Sequence, residues 1–421
     1  MGHIMRVNKE MQSRNVISIL LSLGLILSSS VVQAGPREQA KRIHDRLAGA
    51  PASNAVLDVM EACIIDETST ACTNGGGDSN LGSGPVVAAH IAMQNPSFYN
   101  ATIKNFATPW TNEEQDIFAP LNDYSATIIG MVRDNTPFNT ILSADRIYIG
   151  VAPQGTAALP AYSNSNNNHY GEMERRNIDM SNTDNLVAMS QSVVTGLPTD
   201  ATAGVMTTRA AARAFFIDGT NRAMFRFTMM NQLCLDMEQV KDNTRPHDRI
   251  RQDVSRSPGG DSRLFFNDCV ACHAGMDPLA QAFAYYEFQY TNDDPDSGSL
   301  VYTPGNVQPK YLINAGNFKY GYVTTDDRWD NYWRVGANSI LGWDISLPAS
   351  GNGAKTMGRE LANTEAFATC QVKKVFKTVC FRDPTVAGGT SELSTITASF
   401  KSSAYNMKML FAETAEACMG N

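Results

Sequence analysis

The chain has 421 residues, 43% of them hydrophobic and 18% charged, which is ample for a sizeable core and too long for one small domain. With 42 acidic against 34 basic side chains the net charge is −8 at pH 7, which argues against a nucleic-acid partner because phosphates would be repelled.

Lys9 and Arg14 precede the apolar run VISILLSLGLILSSSVV, which closes on Val32-Gln33-Ala34. A basic start, a short apolar stretch and a small-x-small exit describe a cleavable export signal, so residues 1–34 are expected to be removed. Serines and a glycine dilute the run below what a membrane span requires. The remaining protein is expected in the periplasm or secreted, without a transmembrane segment.

The chain then reads as mainly helical. Helix formers fill 37–50, and Val56, Leu57, Met60 and Ile64 form a helical stripe. Residues 73–85 are a Gly-rich loop, followed by the helical VVAAHIAMQNP. Thr111, with acidic residues after it, reads as the cap of a helix running through 112–135. SADRIYIGVAP is a short extended piece. TGLPTDATAG breaks the pattern near residue 195, dividing a helical N-terminal region (35–195) from a second region (196–421). In the latter, TTRAAARAFF and NRAMFRFTMMNQLCLDMEQV read as helices, and 285–350 as turns with a short hairpin. ASGNGAKTMG reads as an irregular loop before a helix capped at Asn363 or Thr364, and a final helical region follows.

Eight cysteines occur, at 63, 72, 234, 269, 272, 370, 380 and 418. If 269 and 272 are otherwise engaged, six remain, an even number that suits disulfides in an exported protein. Cys63 and Cys72 bracket a short polar loop. Cys370 and Cys380 share one expected helix and stand about 15 Å apart, too far to bridge. Cys380 with Cys418 is the better pairing, which leaves Cys234 with Cys370.

Residues 269–273 read CVACH. Two thiols one helical turn apart with a histidine next to the second form the attachment pattern of c-type haem. Both sulfurs bond the vinyl groups and the imidazole ligates iron. A thiol–disulfide site needs a strand before the motif, and SRLFFND is helical instead. A zinc site needs two more ligands at close spacing, and no second Cys/His pair occurs. Chance predicts on the order of 0.002 matches in this composition, so accident is a poor account. The expected cofactor is therefore haem c, held by Cys269, Cys272 and His273.

The flanks carry a resemblance. GGDSRLFFNDCVACH resembles the opening of class I cytochromes c, with Leu264-Phe265 in register. The stretch 204–234, then CVACHAGMDPLAQAFAYYEF with Asp277-Pro278-Leu279, then GRELANTEAFATCQVKKVF, resembles the planctomycete-type cytochrome c family over about residues 140–380. That resemblance implies a large exported monohaem protein: a helical N-terminal region joined to a class I cytochrome c-like helical haem domain with irregular insertions. It implies electron transfer to a redox partner protein and names no substrate. Two rivals stay open: an oxidoreductase with an open, peroxidase-like iron, and a binding or scaffold protein with structural haem.

In class I cytochromes c, which the opening of the motif resembles, the sixth iron ligand is a methionine on an irregular loop just before the C-terminal helix. Met357 occupies that place, with His247 and His169 as the next candidates. Trp329, Trp333 and Trp343 cluster near the haem segment, with structural packing the default reading and packing on a porphyrin the alternative, and His44, His90, His169 and His247 read as isolated histidines.

Overall fold

The computed structural model describes residues 34–217, 219–292, 294–386 and 391–420. The expected export signal, up to residue 33, lies outside them.

The first helix, Pro36–Ala48, opens with proline, whose missing N–H costs nothing there, and closes on Gly49 in the left-handed region at φ 66°. Ser53 caps the next, Asn54–Ile65, by accepting from the Val56 N–H. Gly84–Ala92 packs against both, and the last helix, Met407–Ala417, lies on Gly84–Ala92 and Pro36–Ala48. Arg46 donates to the carbonyl of Cys418 at 3.1 Å, fastening the two ends of the described chain together.

One apolar core runs through the protein. Ile43, Val87, Ile128, Met206, Phe225, Leu279, Met357, Val375 and Phe411 all belong to it. It therefore crosses the break expected near residue 195, where the short helix Gln191–Thr195 simply ends on Gly196. A second, smaller cluster joins Ile250, Val254, Phe265, Val270 and Ala274, with Cys269 at its edge.

The mainly helical reading holds, and three two-stranded antiparallel sheets are the only sheets among the described residues. Ile147–Gly150, within the extended piece, pairs with Leu186–Met189. The hairpin joins Tyr286–Thr291 to Asp294–Tyr302, and Arg328–Asp330 pairs with Ser350–Asn352.

Three element expectations need correction. Thr111 caps no helix. Asn112 and Asp116 bond the backbone of 116 and 118 instead, Pro120 cannot extend a helix, and the helix starts at Asp123 under a capping box of Asn122 and Ser125. The helix expected through Val240 stops at Cys234, whose φ of 57° ends it where a disulfide ties it down. The loop expected at 349–358 is largely helix, Gly353–Ala362, entered through Gly353 at φ 73°. Thr364 does cap Glu365–Cys380, accepting from the Phe367 N–H at 3.0 Å.

Cysteines 63 and 72, 234 and 370, and 380 and 418 form disulfides, the three expected pairs. Among the described residues no helix is long and apolar enough to cross a membrane.

Candidate functional site

CVACH sits where a helix changes its winding. Asp261 caps Ser262–Leu264 by accepting from the Arg263 N–H at 2.9 Å. The turn Phe265–Cys269 is a wider π-turn, and Val270–Ala280 continues as α-helix. Such turns shift the register of the side chains and recur at functional sites. Here the shift buries Phe265 with Val270 and Ala274 in the small cluster. It leaves Leu264 and Phe266 exposed at 45% and 55%, an uncovered apolar flank beside the thiols.

Cys269, Cys272 and His273 follow at i, i+3 and i+4, so they share one face of the helix, and all three are partly exposed. Cys269 and Cys272 are the two free thiols, while the other six cysteines are bridged. Burial, with Glu238 nearby, pushes the Cys272 thiol up, the opposite of the depressed thiolate that thiol–disulfide exchange requires. The motif is entered from helical turns, Ser262–Leu264 and Phe265–Cys269, and not from a strand, which removes the other requirement of that chemistry.

The segment after Cys234 wraps this helix. The Cys272 sulfur lies 3.6 Å from the carbonyl of Met237, and the Asp242 N–H donates to the carbonyl of Ala271 at 2.9 Å. Asn338 ties the same segment down by donating to the Val240 carbonyl at 2.7 Å. On the opposite side Gly275 meets the edge of Trp333. A Cβ there would stand 1.9 Å from the indole Nε1, so only glycine lets the two approach. Trp343 donates to the Trp333 carbonyl and Trp329 donates to Thr356, so all three tryptophans serve packing.

His273 is held from behind. Its Nδ1 lies 3.1 Å from Asp277 Oδ1, one helical turn on, which leaves Nε2 for a metal. Asp277 is buried and accepts from Arg222 Nε at 2.7 Å and Nη2 at 2.9 Å. The other edge of that guanidinium takes Asp253 at 2.5 and 3.0 Å. Burial alone would raise the Asp277 carboxyl; Arg222, His273 and Arg251 together hold it well below the usual carboxylate range. Sequence reasoning noted Asp277 only as part of Asp-Pro-Leu and missed Arg222, Asp253 and Arg251. The i, i+4 spacing of His273 and Asp277 on a helix was the available signal.

The axial candidates part ways. Met357 is fully buried in the large core, on the helix Gly353–Ala362 rather than on the expected loop. His169 has both ring nitrogens engaged, by the Pro160 carbonyl and the Gly150 N–H. His247 is exposed, and its ring centroid stands 6.5 Å from that of Phe265, beside the motif. Two surface clefts of about 650 and 670 Å³, lined in part by Trp110 and Lys374 and by Ile396 and Glu413, include none of the motif residues.

The residues present fit a covalently bound haem. Two unbridged thiols lie one turn apart, the imidazole beside them has one nitrogen already engaged, and uncovered apolar side chains adjoin them. No family model, no curated protein and no solved structure matches this chain.

Proposed function

We propose that this chain is an exported c-type cytochrome-like protein that transfers electrons through one haem, covalently held by Cys269 and Cys272 and ligated by His273. The observation that carries the reading is the shared helical face of two free thiols and an imidazole whose Nδ1 is taken. The group itself would supply one-electron oxidation and reduction. Around it, Leu264 and Phe266 offer apolar surface, and the small cluster under Cys269 backs the attachment helix. Three disulfides suit the oxidising compartment in which c-type haem is attached. His247 is the candidate for the second axial position, because it alone of the three sequence candidates is exposed beside the motif.

The test is covalent retention. The wild-type protein is expected to keep its haem through acid–acetone extraction and to give a haem c pyridine spectrum. Cys269→Ala with Cys272→Ala should lose both. Extractable haem, or none, in the wild type sinks the reading.

An open-iron oxidoreductase is favoured by one observation, the buried carboxylate behind His273, which strengthens a proximal imidazole. Carbon monoxide and cyanide separate the two. Slow or absent binding in the wild type, becoming rapid in His247→Ala, supports the carrier; rapid binding in both supports the open iron.

A further inference from the structure

We infer that Asp277 is the positioning residue of the iron-ligating histidine: its buried carboxylate holds His273 through Nδ1 and makes the imidazole a stronger donor to ferric iron. The inference rests on the haem reading above and concerns what sets the potential of that haem.

Asp277 is 1% exposed, and each of its oxygens has an assigned partner. Oδ1 accepts from Arg222 Nε and faces His273 Nδ1; Oδ2 accepts from Arg222 Nη2 and, at 3.4 Å, from the Arg251 N–H. A lone carboxylate at this depth would take up a proton or destabilise the fold. Arg222 and Arg251 prevent that, with Asp253 balancing the second positive charge. Arg251 is itself buried, stacked 4.6 Å from the Tyr311 ring centroid and bonded to Thr220 Oγ1 at 2.6 Å. Two guanidiniums and two carboxylates thus form a neutral, nearly dry cluster that reaches the attachment motif through one contact, Asp277 to His273. If the cluster only stabilised the fold, Arg222 and Asp253 would satisfy one another without the histidine. The contact at 3.1 Å instead fixes the tautomer, since Nδ1 must carry the proton it donates. A carboxylate accepting that proton gives the imidazole partial imidazolate character, which stabilises Fe(III) over Fe(II).

The experiment uses mature haem-loaded protein and two readouts: the midpoint potential, and the iron–histidine stretching band of the ferrous protein just after photolysis of its carbon monoxide complex, the band being read in the His247→Ala background that opens the second position to the gas. Asp277→Asn keeps the shape and removes the charge. We expect the oxidised–reduced equilibrium to move toward the reduced form by about tenfold or more, 59 mV for one electron, and the stretching band to fall in frequency. Asp277→Glu should restore part of both shifts, and carries the test if the asparagine variant does not accumulate. Asp253→Asn removes an equal charge from the same cluster without touching His273, so it should move the potential less and leave the band in place. If Asp277→Asn leaves potential and band unchanged, or Asp253→Asn moves the band equally, this inference falls while the haem reading stands. A wild type without covalent haem overturns both.

Discussion

Adding one methyl group at Gly275 tests how tightly the attachment helix is seated. On an open helix Gly→Ala stabilises by about 1 kcal/mol through backbone entropy and propensity. At Gly275 the new Cβ would stand 1.9 Å from Trp333 Nε1, 2.3 Å from Cε2 and 2.7 Å from Cδ1. The indole cannot swing aside. Trp333 is 0% exposed, packs on Phe225 at 5.8 Å between centroids, and is fixed at its backbone, where its N–H donates to Asn331 Oδ1 and its carbonyl accepts from Trp343. Overpacking costs about 1–3 kcal/mol, and an approach this close puts it at the upper end, so a net loss of about 2 kcal/mol remains after the helix gain. In a chain of this length that lowers the melting temperature by a few degrees, roughly 2–4 °C for each kcal/mol. Thermal and urea melts with the disulfides intact read this directly. Trp333→Phe, which removes the pyrrole edge, should recover part of the loss in the Gly275→Ala background. Were Gly275→Ala as stable as the wild type or more so, the close approach of helix and indole would be wrong, and with it the seating of Cys272 and His273.

Met357→Leu should change stability by less than about 1.5 kcal/mol and Met357→Ala should cost about 2–5 kcal/mol, as expected of a fully buried packing methionine; urea melts decide. Loss of the low-spin visible spectrum in Met357→Leu at unchanged stability would instead put its thioether on the iron. Non-reducing peptide mapping should recover the three disulfides, and deleting Cys234–Cys370, which spans 136 residues, should cost more than deleting Cys63–Cys72, which spans 9. The chain-entropy estimates approach 5 and 3 kcal/mol respectively, and an equal cost would refute that ordering. Burial, aided by Lys408, lowers the His90 imidazole from 6.5 to about 4. Between those values the unfolded chain binds the extra proton, so stability is full above pH 6.5, falls toward pH 4 and then levels, by at most about 3 kcal/mol. His90→Gln should flatten that acid limb in melts across the range, and an unaltered limb would exclude His90 as its source.

Much of this protein is legible in residue order because the relevant physics is local. The spacing of Cys269, Cys272 and His273 places them on one helical face wherever that helix sits. The helix shared by Cys370 and Cys380 forbids their bridge by length alone, and Thr364 caps its helix through a contact three residues away. Errors arose where local signals compete or are overruled by packing. The acidic run after Thr111 resembles a helix start, yet Asn112 and Asp116 find turn partners first and Pro120 ends the contest. Gly353 and Met357 read as loop because Gly351 precedes the helix and Gly353 opens it, while burial of Met357, Leu361 and Ala362 makes it form. Only tertiary structure joins Arg222, Arg251 and Asp253 to Asp277, since they come from separate segments and no periodicity relates them. The same holds for His247, a polar-loop residue brought beside Phe265, and for Gly275, whose need to be glycine comes from Trp333, fifty-eight positions along the chain. The attaching residues are thus a property of one helix, and the environment that tunes them is a property of the packed core.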